Sequence, residues 1–446
     1  MGPFIFLDIE TTGKDPNKDH IIEVACIRWE NGEITERFES LVNPKVPIPY
    51  EITLLTGISD KNVADSPIFA DIKQKLLIFT GDNPIVGHNI AFDISFLRSH
   101  HLDVKNPEID TISLARVLLQ KEASYALEVL MKKYKLPLRG SHRAMADVET
   151  TISFFEFLIG MINELPSEVV KTMRKILDKS DWPGKEVFMT GETISKKNKI
   201  DPRWSLPRTA IRGGDDTEKK ASPSHPKGMA THNIWEDSVT ESFLSGDKIL
   251  LESSRDIPFE KLKKCVIAYF GNRMKDKLKV RAGTAGLSVY SLKEPGFYFS
   301  PQKLEQKLSC PHFTNEETPL LLKLALWNTL TVTGERDELS FDRDEYSIFE
   351  LFADTEGKDI YWKKALTNAE SSDIVLLHQY ALARGLADNL PDKKDRSLVV
   401  VEASMLEDSF TNAYRKRYTA ASLRPVFGEK STMLFGLLGI FFDHFS

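Results

Sequence analysis

The chain carries 446 residues, 41% hydrophobic and 28% charged, enough apolar content for two or three globular domains with real cores. Its formal net charge of −6 excludes a global basic field, so any contact with nucleic acid has to come from local patches. The three cysteines, Cys26, Cys265 and Cys310, lack CxxC spacing, so neither a zinc site nor a four-cysteine iron–sulfur cluster can be built from them, and they fit a reducing cytosol. "MGPFIFLDIE" meets an acid too early for a secretory signal, and "MLFGLLGIFF" is too short to span a bilayer. The expectation is a soluble, cytoplasmic protein without membrane contact.

Residues 1–165 read as a compact α/β unit. "FIFLDIE", "HIIEVACIRWE" and "ITERFESLVNP" are strand-like, and "WENGEI" supplies an Asn-Gly hairpin turn between the second and third. A helix over "FADIKQKLLIFTG", a buried strand at "PIVGHNI", and helices over "FDISFLRSHH", "TISLARVLLQ", "YALEVLMKKYK" and "AMADVETTISFFEFLIGMI" follow. A meander followed by alternating strands and helices implies a mixed sheet flanked by helices. Residues 166–232 read as a helical extension and a linker, because from about 192 Pro, Gly, Ser and alternating charges replace apolar periodicity. Residues 233–446 regain that periodicity and read as a second α/β domain; no internal repeat is evident.

Two acids in the first strand raise the question of chemistry. Asp8, Glu10, Thr12, Gly13 and Asp19 fall on calcium-loop positions of an EF-hand, but the flank "PFIFLDI" is a strand and the last position is not Glu. On a strand, residues 8 and 10 share one face, and two acids on one face of a core strand cost several kcal/mol unless a cation or proton compensates. Further along, "VGHNIAFDISFL" places Asp93 on the first turn of a helix after a strand, and "GSHRAMADVETT" places His142 five residues ahead of Asp147. An Asp at a helix start is commonly only a cap, and a lone His before a helix is commonly a surface or satisfied core residue.

Taken in this order, with "LDIETTG", "IDTISLAR" and "SHRAMADVE", these segments resemble the DEDDh family of 3′–5′ exonucleases, the DnaQ-like proofreading fold, over residues 4 to about 160. The resemblance implies an RNase H-like sheet and two Mg²⁺ or Mn²⁺ ions. Asp8 would bridge them, with Glu10, Asp93 and Asp147 completing the coordination and His142 acting as general base. The chemistry is consistent on its own terms: carboxylates form a hard oxygen cage for such ions, one activating a water and the other stabilising the leaving 3′ oxygen. The i, i+5 spacing puts His142 off the face of Asp147, hence on the loop before the helix, and imidazole titrates near neutral pH. Thr11, Thr12 and Gly13 could offer N–H and hydroxyl groups, or close backbone approach, to a terminal nucleotide. Asn89 either holds the 3′ end or serves a turn, and Phe92 is assigned to the core.

The distal segments "FLSGDKILLESSRDIPFEKLKKCVIAYF", "LKLALWNTLTVTGERDEL", "YWKKALTNAESSDIVLLHQYALARG" and "SLVVVEASMLEDS" resemble the first motor domain of DinG-type superfamily 2 helicases, a RecA-like fold; ordinary strands of an unrelated α/β domain are the competing explanation. The phosphate-loop position reads "ESSRDIPFE", without GK[ST], and the DEAH-like box reads Val401-Glu402-Ala403-Ser404. The domain is therefore expected to be non-catalytic and to turn over no ATP. Lys261, Lys263, Lys264, "NRMKDKLKVR" and "NAYRKRY" could contact phosphates, although solvated faces are the weightier reading.

The expected function is metal-dependent 3′–5′ exonuclease action on DNA, or RNA, with a free 3′ end. The alternatives are an ATP-dependent nuclease–helicase, against which the missing GK[ST] counts, and a binding protein with a vestigial nuclease, against which the complete catalytic set counts.

Overall fold

The computed structural model describes residues 3–139, 142–194, 248–251, 257, 259, 264–392, 396–405 and 408–409. The linker beyond residue 194, most of "ESSRDIPFE", Lys261, Lys263, "NAYRKRY" and "MLFGLLGIFF" lie outside the described residues. The chain divides into two compact units: Met1–Ala221 together with Gly296–Tyr361, and Ser222–Pro295 together with Trp362–Ser446. Among the described residues, no helix is long and apolar enough to cross a membrane.

The first unit is mixed α/β. Strands β1 (Phe4–Thr11), β2 (Ile21–Glu30) and β3 (Glu33–Leu41) form the antiparallel meander, and β4 (Ile85–Gly87) and β5 (Glu108–Asp110) extend the sheet in parallel, in the order β3-β2-β1-β4-β5. Asn31 and Gly32, both at positive φ, make the two-residue hairpin turn between β2 and β3. β3 is an edge strand and exposes Glu33, Glu36 and Arg37, charges that discourage pairing with another chain.

Helices α1 (Tyr50–Thr56), α2 (Asp60–Val63) and α3 (Phe69–Thr80) lead into β4; α4 (Ile90–Ser99) follows it, and α5 (Thr111–Leu118), α6 (Leu127–Lys133) and α7 (Ala144–Asn163) follow β5. Alternation along β1 sorts its side chains between two layers. Ile5, Leu7 and Ile9 join a core with Ile72, Leu76, Ile94 and Phe96 of α3 and α4. On the other face, Phe4, Phe6 and Trp29 surround Phe155 of α7 with ring centroids 5.1–5.8 Å from it. Burying such side chains contributes roughly 1.5–3 kcal/mol apiece, and aromatic pairing adds to that. By the same parity Asp8 and Glu10 continue the α7 face, one step beyond the aromatic cluster.

After α7 come α8 (Ser167–Leu177) and α9 (Lys185–Ile194). The segment Gly296–Tyr361, which sequence alone places in the 233–446 domain, clusters with this first unit. Its helix Glu317–Leu330 lies on α5 and α8, where the Gln120 side chain donates to the Lys323 carbonyl at 2.9 Å and the Ser180 and Thr318 hydroxyls meet at 2.6 Å. Lys323, fully buried, is paired with Glu345 at 3.0 Å, as a buried ammonium must be.

The second unit is a parallel α/β body. Strands β6 (Lys248–Leu251), β7 (Cys265–Tyr269), β8 (Val289–Ser291), β9 (Ile374–His378) and β10 (Ser397–Val401) pair in the order β6-β10-β7-β9-β8, and every ladder is parallel. The near-continuous apolar runs of β7 and β9 are those of strands covered on both faces. "NRMKDKLKVR" forms most of the helix Asn272–Thr284, and Lys264 donates to Asp392 at 2.9 Å and to the Glu370 carbonyl at 2.7 Å.

Candidate active site

β1 is the strand at which the chain order of the first sheet reverses, with β2 and β3 on one side and β4 and β5 on the other, and such switch points are where open sheets collect ligand-binding groups. Asp8 and Glu10 project from its carboxyl half onto the α7 side, and Asp147 stands on the first turn of α7. One carboxylate oxygen from each of Asp8, Glu10 and Asp147 lies within 4.8 Å of the other two, and among the described residues this is the one such group of three or more metal-capable side chains.

Asp93 approaches from the opposite layer. It is 4% exposed, on the first turn of α4, and its Oδ1 accepts the Ile9 N–H at 3.0 Å. It stands outside the close group of three, but its charge reaches Asp8. A carboxylate that spends one oxygen on an amide keeps lone pairs on the other.

The crowding shows in the proton affinities. Burial first, and then the charges of Asp93, Asp147, Glu10 and Glu23, push the Asp8 carboxyl well above the usual carboxylate range. Burial and the charges of Asp147 and Glu23 push Glu10 up to about 8, with Arg143 opposing them. Asp93 and Asp147 are also raised by burial; the Ile9 amide works against the shift at Asp93, and the His142 amide and imidazole work against it at Asp147. Acids held at such a distance in a partly buried site need protons or a cation.

His142 lies on the loop before α7, exposed and at φ 63°, in the left-handed region that non-glycine residues rarely adopt. Its neighbour Arg143 caps α7 and reaches back to β2: Nε and Nη2 donate to the Glu23 carboxylate at 2.6–3.2 Å, and the Ala144 N–H adds a 2.9 Å bond to the same group. Glu23 pairs directly with Glu10 across the β1–β2 ladder.

Residues 5–155 match the family model RNase_T, described as Exonuclease. The chain is similar to a DNA polymerase III PolC-type of Caldanaerobacter subterraneus subsp. tengcongensis, 33% identical over 201 residues, which is 44% of this chain and 14% of that protein. It is also similar to the 3'-5' exonuclease DinG of Bacillus subtilis, 34% identical over 179 residues, 39% of this chain and 19% of that protein. The chain thus spans less than a fifth of the length of these relatives. The solved structure of Exonuclease X in complex with 5' overhanging duplex DNA aligns at 26% identity and a TM-score of 0.31, over 35% of this chain and 91% of that one. The family model over residues 5–155 places an exonuclease domain in the N-terminal region, and the acid group lies within it.

The remaining candidate residues of the exonuclease domain fall around this group. Thr11 and Thr12 are buried; the Thr11 hydroxyl donates to the Gly13 carbonyl at 2.6 Å, and the Thr12 hydroxyl accepts the His20 N–H at 2.9 Å. Gly13 is required by close approach: a Cβ there would stand 2.4 Å from the Asp19 carboxylate, which is itself bound to the Asp15 N–H. Asn89 caps α4 at φ 68°, exposed, its side chain making no capping bond. Phe92 packs on Phe96 at 4.9 Å and against the core.

Three supporting residues escape a reading of the sequence. The Asp110 carboxylate accepts from both Ile112 N–H, at 2.8 Å, and Asn89 N–H, at 3.0 Å, tying α5 to the start of α4; an Asp just before a helical run is its only sequence signal. His88 bridges the Thr111 hydroxyl and the Tyr125 carbonyl, and burial lowers its pKa to about 4, so it braces the loop as a neutral ring. Glu23 shows only as one acid inside the apolar strand "IIEVACI".

Proposed function

We propose that the first unit is a divalent-metal-dependent 3′–5′ exonuclease that trims single-stranded DNA, and RNA as a second substrate, from a free 3′ end. The observation that carries the reading is the close set of oxygens from Asp8, Glu10 and Asp147, raised in proton affinity by burial and mutual repulsion, with Asp93 beside them. A hard, all-carboxylate donor set of this kind fits Mg²⁺ or Mn²⁺. Asp8, Glu10, Asp93 and Asp147 would hold a pair of such ions, which when bound would supply Lewis-acid activation of water and stabilisation of charge on the leaving oxygen.

The chain's own groups do the rest. His142, on the exposed loop above Asp147, takes the proton from the attacking water, work for which an imidazole is suited near neutral pH. Asp147 accepts a hydrogen bond from the His142 backbone and lies within electrostatic reach of its imidazole. Asn89, with its side chain free of the helix cap, holds the terminal nucleotide, and Thr11, Thr12 and Gly13 form the loop along which that nucleotide lies. The 3′ polarity also agrees with the name of the Bacillus subtilis relative. We take the second unit to be non-catalytic, because the strand-end text Val401-Glu402-Ala403-Ser404 lacks the aspartate and the histidine of an ATP-hydrolysing DEAH box.

The test incubates the full chain and its Asp8→Ala variant with 5′-labelled single-stranded DNA and RNA in Mg²⁺, Mn²⁺ or chelator. A ladder of shortened labelled products, lost in the variant and in chelator, is expected. Release of the label as a mononucleotide at the first time point, or unchanged trimming by Asp8→Ala, overturns the reading.

A further inference from the structure

The Glu23–Arg143 contact is the most fully bonded charged pair near the acid group. Glu23 is 0% exposed and accepts three donors: Arg143 Nε, Arg143 Nη2 and the Ala144 N–H. A fully buried carboxylate persists only with such partners, and the planar guanidinium is the side chain able to supply two of them in a fixed orientation. The pair joins the sheet, at the rung opposite Glu10, to the first turn of α7.

Arg143 is also linked through its backbone to two of the candidate residues. Its carbonyl accepts the Asp147 N–H at 3.0 Å, and it follows His142 directly in the chain. His142 sits at φ 63°, and a non-glycine residue stays in that region only when its surroundings over-determine it. The fork to Glu23 is the fixed point from which that strained residue projects.

We propose that Glu23 and Arg143 are a positioning pair that sets His142 against the acid group, acting on turnover through His142 and not on the nucleic acid. This rests on the exonuclease reading above. The Arg143 side chain is 50% exposed, so a direct phosphate contact is the competing role. Its Nε and Nη2 edge faces Glu23, which fixes the guanidinium toward the sheet.

The full chain, with Arg143→Met, Arg143→Lys, Glu23→Gln, His142→Ala and the double variant His142→Ala/Arg143→Met, is assayed for kcat and KM on a 5′-labelled single-stranded oligonucleotide in Mn²⁺. Mn²⁺ affinity is measured by calorimetry. A misplacement of about 1 Å costs roughly 10²-fold, so Arg143→Met is expected to lower kcat by about that factor while KM stays within about threefold. Arg143→Lys keeps the charge without the fork and recovers only a small part of the loss. In the His142→Ala background the same Arg143→Met change costs less than about threefold, because the two residues act as one unit.

An equal loss in both backgrounds overturns the proposal, as does a raised KM with kcat kept. Should Arg143→Met fail to fold, Glu23→Gln, which keeps side-chain volume and an oxygen for the Ala144 N–H, carries the same cycle with the same deciding outcomes. A wild-type chain that trims no 3′ ends removes the exonuclease reading and this pair with it. An active wild type, dead on Asp8→Ala, with an additive cycle removes the pair alone.

Discussion

Two five-stranded sheets of one chain end differently. Where β1 and β4 finish in the first unit, the residues are Asp8, Glu10 and, on the following helix, Asp93; Asp110 closes β5. Where β7 and β9 finish in the second, Tyr269 and Phe270 pack on His378, whose ring takes the Tyr380 N–H at 3.1 Å, and β10 is followed by Glu402. Both sheets have the strand ends at which α/β folds commonly place ligands, but among the described residues the first alone gathers three metal-capable side chains there. Architecture offers the place, and side chains decide the chemistry. The first sheet tolerates unfavourable charge crowding that its apolar layers outweigh, whereas the second spends the same positions on packing.

The largest effect should come from removing a residue of the crowded end. If ions contribute roughly 5 kcal/mol of transition-state stabilisation, Asp8→Ala lowers kcat by about 4 × 10³-fold at ~1.4 kcal/mol per decade. The ladder assay measures it, and a loss under tenfold would remove the contrast between the two sheets. On the proposed role of His142 as general base, His142→Ala removes proton transfer but no carboxylate, so a loss of roughly 10²–10⁴ is expected with Mn²⁺ affinity retained. Calorimetry showing that metal binding disappears in this variant would make His142 a structural residue.

A third test concerns stability. Glu10 rises from the ordinary 4.5 to about 8 in the folded chain, so the folded state binds the proton more tightly than the unfolded state. The stability that this proton provides is fully present below about pH 4.5 and is lost as pH rises through about 8, and Asp8 and Asp147 shift in the same direction. Metal-free protein should therefore melt at lower temperature as pH rises across that window. Added Mn²⁺ should compensate more at the alkaline end, where protons no longer compete. At ~100 times its dissociation constant an ion contributes ~2.7 kcal/mol, or about 5–10 °C for a domain of ~200 residues. Melting curves with chelator and with Mn²⁺ at both ends of the range decide it, and equal shifts at both ends would count against the crowded site.

The legible parts of this contrast were those governed by short periods. Asp8 and Glu10 share a face because a strand repeats every two residues, and Asn31-Gly32 announces its hairpin. Asp93 and Asp147 each stand on the first helical turn their sequence context implies. β5, with three residues, and α2, with four, are too short to show periodicity. The role of Glu23 depends on its register opposite Glu10 and on a guanidinium 120 positions away, neither of which local pattern carries. The packing of Glu317–Leu330 on α5 and α8 is likewise tertiary: its apolar residues signal burial without saying against what.

The smallest expected effect sharpens the comparison most, because it applies one substitution to both sheets. Glu10→Gln keeps size and hydrogen-bonding atoms but removes the group that can give up its proton to a cation, so it should weaken Mn²⁺ binding and lower kcat. Glu402→Gln makes the same change just after β10. Glu402 holds a positive φ of 59°, and its Oε2 is buried with no hydrogen-bond partner among the described residues. Replacing the carboxylate by an amide of the same size changes the chemistry without changing the shape and should leave stability within about 0.5 kcal/mol. Nuclease turnover should stay within about twofold, and ATP with single-stranded DNA should be hydrolysed no faster than in buffer. If Glu402→Gln instead abolished an ATPase activity present in the wild type, the second sheet would carry chemistry of its own, and the difference between the two strand ends would be one of substrate and not of function against packing.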